Sequence, residues 1–139
     1  MSEFYIPIRY DNKIAEKGRW FDVYDEAGNL HGRFLVSLIA GDAPHTKLRS
    51  QRLAQGDNVA TVGQLSEEEQ RKQNAMLLVE LAITDWKDVL NAKREQVAFS
   101  KEKAVAYFLA NHYATEKVFQ FASNVLNFQA VTVEEIEKN

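Results

Sequence analysis

The chain has 139 residues, 45% of them apolar, 27% charged and 11% aromatic, a composition that buries one core and excludes a disordered chain. Seventeen Lys and Arg against 20 Asp and Glu leave a formal charge of -3, which excludes a global positive field for nucleic acid or anionic lipid. Cysteine is absent, so disulfides, thiolate metal sites and thiol catalysis are excluded and a reducing compartment is expected.

Met1 to Tyr10 lacks the basic start and apolar middle of a signal peptide. The longest apolar runs, Phe34 to Ala40 and Ala75 to Ile83, are too short to span a bilayer, and the cytoplasm is the expected location. Phe4, Tyr5, Ile6, Ile8 and Tyr10 surround Pro7, which blocks one ladder hydrogen bond; an edge strand or an arm suits them. Trp20, Phe21, Val23 and Tyr24 precede Asp25-Glu26-Ala27-Gly28-Asn29, and Arg33 to Ile39 supplies a second apolar run. This spells a hairpin, with Gly28 and Asn29 able to take the positive φ of its return.

Asp42 is placed to cap, and Pro44 to open, a short basic helix that runs to about Gln55 and ends at Gly56-Asp57-Asn58. The chain to Leu65 reads as a loop. Ser66 with Glu69 forms a capping box, and Glu67 and Glu68 suit the positive end of a helix dipole. Ala75, Leu78, Val79, Ala82, Ile83 and Trp86 then fall at i, i+3, i+4, i+7, i+8 and i+11, so one long helix is predicted at the centre of the core, its stripe widened by Met76, Leu77 and Leu81.

Asn91 to Gln96 has no apolar period and reads as an exposed connection or a fraying helix end. Phe99 stands as a hydrophobic staple to Ala104 before a cap at Ser100, and Ala104, Val105, Phe108 and Leu109 form the stripe of a helix reaching about His112. Thr115 is the expected cap of a last helix bearing Val118, Phe119, Ala122, Val125 and Leu126. Residues 129–139 read as an acidic, loose tail after a single domain of residues 1–128. The predicted class is α+β and predominantly helical, an N-terminal β-hairpin packed on three to four helices.

Catalytic, cofactor-binding and metal residues are not expected. His31, His45 and His112 lie far apart and outside any ligand-pair motif. Asp22, Asp25, Glu26 and Gly28 look like a calcium loop at a glance, but the alternating acidic ligands and closing glutamate are missing. A nucleic-acid role would rest on Lys47, Arg49, Arg52, Arg71 and Lys72, yet the candidate recognition helix, Glu116 to Phe128, has only Lys117.

Asn74, Leu77, Leu78, Leu81, Ile83, Asp85 and Trp86, then Phe99-Ser100 with Glu102, and finally Asn127-Phe128 follow an order and spacing that resembles the tail assembly chaperones of long-tailed, siphovirus-type bacteriophages. Arg49 and Arg52 on a basic helix resemble them too. Those proteins usually carry an aspartate-glycine turn with proline between the tryptophan and the phenylalanine, whereas Lys87 to Ala98 has no glycine or proline and is open to helix.

The resemblance implies a non-enzymatic protein that binds the tape-measure protein in the host cytoplasm before the tail tube polymerises and is absent from the mature virion. The tail tube protein and a second copy of the chain are further candidate partners. The alternatives are a small DNA-binding regulator of a mobile element and a structural head-tail connector subunit. Tyr107 and Phe121 fall off the main stripes of their helices and are expected at the surface, so Trp86, Phe99, Tyr107 and Phe121, with Arg49 and Arg52, form the candidate partner-binding set.

Overall fold

A computed structural model describes residues 3–55 and 66–130. The expected loop after Gln55 and the tail beyond Ala130 lie outside the described residues. Among the described residues, five α-helices and a three-stranded antiparallel sheet, in the order β1-β2-β3, make a helix-rich α+β fold of the predicted class. Among the described residues no helix is long and apolar enough to cross a membrane.

Glu3 to Arg9 forms neither helix nor strand and is exposed throughout. A helix absent from the sequence reading follows, α1 (Asn12–Lys17). Asp11 caps it by accepting from the amides of Lys13 and Ile14, and Gly18 ends it at φ 91°, where a side chain would meet the Val36 carbonyl at 2.7 Å. The hairpin forms as expected from β1 (Arg19–Tyr24) and β2 (Leu30–Val36). Gly28 takes φ 83°, while the Asp25 carboxylate accepts from the amides of Ala27 and Asn29 and from His31 Nε2 at 2.9 Å.

The second run stops pairing at Val36, three residues short of its expected end. Ser37 N–H donates to Ala82 O, Leu38 N–H to Ala15 O and Ile39 N–H to Ala122 O, at 2.7, 3.0 and 2.8 Å. In this way one extended segment satisfies carbonyls at the ends of three helices. Buried His45 and Thr46 both bond the Leu38 carbonyl and hold that segment against α2 (Pro44–Gln55). Asp42 does not cap α2. It accepts from the Tyr10 hydroxyl and pairs with Arg9.

Ser66 caps α3 (Glu67–Ala82) through the Glu69 amide, and Glu69 accepts from the Ser66 hydroxyl. The predicted long helix stops four residues before Trp86. Ile83–Lys87 is β3, paired with β2 so that Phe34 faces Trp86 and Val36 faces Ile83. A bulge between Leu35 and Val36 lets Ile83 and Trp86 both point inward at a spacing that strict alternation forbids. The helical period through Trp86 was thus a coincidence; β-branched Ile83 and Thr84 were the strand signal. The edge of β3 is partly closed by Asp85, whose carboxylate accepts the Trp86 amide at 2.8 Å.

The stretch open to helix between Trp86 and Phe99 is a tight loop. Val97 N–H returns to Val89 O, and Asn91 Oδ1 accepts from the amides of Lys93 and Glu95. Asp88 and Arg94 adopt positive φ of 58° and 63° without glycine.

Ser100 caps α4 (Lys101–Ala110) as expected. The cap of α5 (His112–Ala122) is Asn111 rather than Thr115, whose hydroxyl donates instead to Phe108 O and Asn111 O. Asn111 Oδ1 takes the Ala114 amide, so its Nδ2 must face Tyr107 Oη and His31 Nδ1, each at 3.0 Å. That orientation places the His31 proton on Nε2, toward Asp25. The chain then turns through Val125–Phe128, where Phe128 is fully buried against Ala15 and Leu38.

Two measurements check this polar seam. Asn111→Ala removes the α5 cap and two side-chain bonds and should cost about 2 kcal/mol, whereas Asn111→Asp, which keeps the cap, should cost roughly half as much in urea unfolding. The His31 ring and the Asn29 and Ala27 contacts hold the Asp25 carboxyl at about 2, below its ordinary 3.8. A folded-state value lowered in this way stabilises the protein above pH 3.8 and loses that contribution as pH falls toward about 2. Melts across this window should lose stability in the wild type, and Asp25→Asn should remove that part of the slope.

Candidate functional site

The α2–α3 pair runs antiparallel: Arg49 Nη1 donates to Leu81 O at one end, while Ala54 lies beside Gln70 and Asn74 at the other. Between the helices is a cleft of about 330 Å³ whose apolar lining is Leu53, Ala54, Met76 and Leu77. A second cleft of about 460 Å³, between α3 and α5, shares Asn74 and Leu77 and continues to Phe119. Leu77 is therefore the ridge of a surface bearing Leu53, Met76 and Phe119. Phe119 is 43% exposed, and Leu109, beside the neighbouring cleft, 41%.

Gln73, Met76, Leu77 and Glu80 stand at i, i+3, i+4 and i+7 on one face of α3. One turn beyond Met76 and Leu77 on that face, Glu80 lines a third cleft of about 250 Å³ that includes Arg49, Arg52, Ile83, Phe99 and Lys101. Arg49 is half-buried, and that burial pushes its guanidinium below the ordinary value. Its partners are two carbonyls, Leu81 O and Glu16 O. Glu80 pairs with Lys101 at 2.9 Å.

The structure gathers four of the six candidate residues at this end. Arg49, Arg52 and Phe99 line the third cleft, and Trp86 stands behind Phe99 with ring centres 5.4 Å apart. Trp86 itself is 5% exposed, its indole N–H donating to Val97 O. The expected exposure of Tyr107 and Phe121 is not found. Tyr107 packs on Trp86 and Phe34 and donates its hydroxyl to His31 O, and burial pushes its phenol up. Phe121 stacks on Phe21 at 4.4 Å and meets Phe128 edge-on.

The physical reason is that α5 lies against β1 and β2 and that α4 sends Tyr107 and Phe108 onto Phe34 of β2, so the inward faces are set by the sheet rather than by the stripes alone. Phe119, assigned to the core stripe, takes the exposed place instead, and with Leu53 and Leu77 it is a site residue that sequence reasoning missed. The adjacent pair Phe119 and Phe121 carries no local signal that decides which one is inside.

The histidines remain separate. His31 belongs to the Asp25–Asn111 seam, His45 is buried on Leu38 O with its ring held below its ordinary value by that burial, and His112 pairs with Glu116. Among the described residues no three His, Asp or Glu side chains are grouped to hold a metal ion. Truncation separates the two phenylalanines: Phe121→Ala should cost about 3 kcal/mol or more in thermal or urea unfolding, whereas Phe119→Ala should cost about 1 kcal/mol or less.

No curated protein and no solved structure matches the chain. Residues 43–139 match the family model described as YdaY prophage protein, a stretch that contains every helix lining the three clefts. With more than half of its length matched in this way, the chain belongs to the YdaY prophage protein family.

Proposed function

We propose that this prophage protein is a tail assembly chaperone, a non-catalytic binder that holds an apolar helical segment of the tape-measure protein in the host cytoplasm until the tail tube polymerises. The observation that carries the reading is the furrow along α2, α3 and α5, in which Leu53, Met76, Leu77 and Phe119 present apolar surface on a rigid helical frame. The prophage family and the residue spacing around Trp86 and Phe99-Ser100 support it independently.

Energetics suit a holder that must let go. Covering about 400 Å² of apolar surface gains roughly 10 kcal/mol at ~25 cal/mol per Å². Association itself costs at least about 4 kcal/mol, so no more than roughly 6 kcal/mol is left, a weak and reversible contact. A DNA-reading role for α5 has less support, since its lone Lys117 lies over the Tyr113 ring at 5.5 Å.

Co-expression with the tape-measure protein of the same prophage tests the reading. The partner's soluble fraction should rise several-fold with the unaltered chain and fall back with Leu77→Glu combined with Phe119→Glu. A partner whose solubility is the same with and without the chain would refute the proposal.

A further inference from the structure

The charged end of the furrow carries information about the partner that its apolar end does not. Three cations, Arg49, Arg52 and Lys101, line the third cleft with one carboxylate, Glu80. Glu16 on α1 adds a second negative charge, acting on Arg49 from behind. The balance is still positive in a chain whose overall charge is -3.

Of these cations only Arg52 is left without a hydrogen-bonded or ion-paired partner among the described residues. The guanidinium of Arg49 is half-buried and hydrogen-bonds only carbonyl oxygens, while the Glu16 and Glu80 carboxylates act on it from farther off, so it still has donors to offer a carboxylate. Lys101 opens α4, where the positive end of the helix dipole disfavours a cation, and its exposed side chain is held by Glu80 at 2.9 Å. Arg52 is exposed and adds like charge beside Arg49. The floor between them is apolar, formed by Ile83 and the ring of Phe99.

This cleft and the apolar one lie along one face of α3, Glu80 lining the first one turn beyond Met76 and Leu77 of the second. From Gln70 to Thr84 the furrow spans about 20 Å, the length of roughly 14 helical residues. Resting on the chaperone reading, we infer that the segment captured here is an amphipathic helix with carboxylates at one end: its apolar stripe lies on Leu53, Met76 and Leu77, and its Asp or Glu side chains meet Arg49, Arg52 and Lys101. Charge complementarity thereby fixes the direction in which the helix lies, since reversal would set its carboxylates against an apolar wall, away from the positive end of the furrow.

The test uses the full chain and two labelled peptides of about 15 residues, one built of Leu, Ala and Glu and the other with Lys in place of every Glu, read by fluorescence anisotropy. At low salt the acidic peptide should bind about tenfold more tightly than its basic counterpart, and that preference should shrink as salt is added. Arg52→Glu should remove most of the preference, and Lys101→Gln should reduce it about threefold; both side chains are exposed, and unchanged circular dichroism confirms the fold.

Equal binding of the two peptides, no binding of either, or a preference untouched by Arg52→Glu would overturn the inference. So would equal competition by a single-stranded oligonucleotide of matched charge, which would mark a site for phosphates. The two levels fail separately. Rescue of the tape-measure protein together with peptides that are not distinguished removes the acidic-segment inference alone, while failure to rescue removes the chaperone reading beneath it.

Discussion

Three consecutive amides hold this fold in place. Ser37, Leu38 and Ile39 leave the end of β2 and donate to Ala82, Ala15 and Ala122, carbonyls at the C-terminal ends of α3 and α5 and within α1. Helix ends bring unpaired carbonyls into the interior, where each would cost roughly 1 to 3 kcal/mol unmet. One extended segment meets all three. The relative positions of α1, α3 and α5 are thereby fixed to a single strand of backbone. Ser37 Oγ, bonded to Glu16 O, and the His45 and Thr46 contacts to Leu38 O lock the same segment from its side chains and from α2.

The change from α3 to β3 at Ile83 depends on that junction. Because Ser37 N–H takes the Ala82 carbonyl, the helix ends there and the chain turns directly into the sheet, which brings Trp86 opposite Phe34. The indole then fills the space between Phe34, Phe99 and Tyr107, with ring centres 5.4 to 6.4 Å apart. This aromatic wedge takes in Trp86 and Tyr107, two of the rings that the sequence offered as a binding surface, while Phe99 keeps one side on the third cleft. It also leaves the far side of α3, from Gln73 through Leu77 to Glu80, only partly covered by its neighbours among the described residues. The furrow is therefore a consequence of how the core closes.

Much of this was legible in the residues, and the boundary of legibility is physical. Caps and turns are local chemistry, so the helix start at Ser66, the start at Ser100 and the return at Gly28 could be read directly. The short α1 carried equally local signals in Asp11 and Gly18, which went unread. The end of α3 could not be read from period, because Ile83 and Trp86 continue a helical stripe while in fact facing inward from a bulged strand. Of the candidate site, Arg49, Arg52 and Phe99 were identified and do share a cleft. The exchange of Phe119 for Phe121 was hidden, since which ring faces the sheet depends on Phe21 and Phe128, both remote in sequence.

The account joins a rigid, wedge-packed body to one furrow with an apolar end and a cationic end. Hydrogen exchange of the backbone amides, measured on the free chain and on its complex with the tape-measure protein, tests this most directly. Binding in the furrow predicts slowed exchange in α2 and along Gln70 to Thr84, with β1 and the hairpin turn at Asp25 unchanged. Protection centred on the sheet, or no change along α2 and α3, would contradict it.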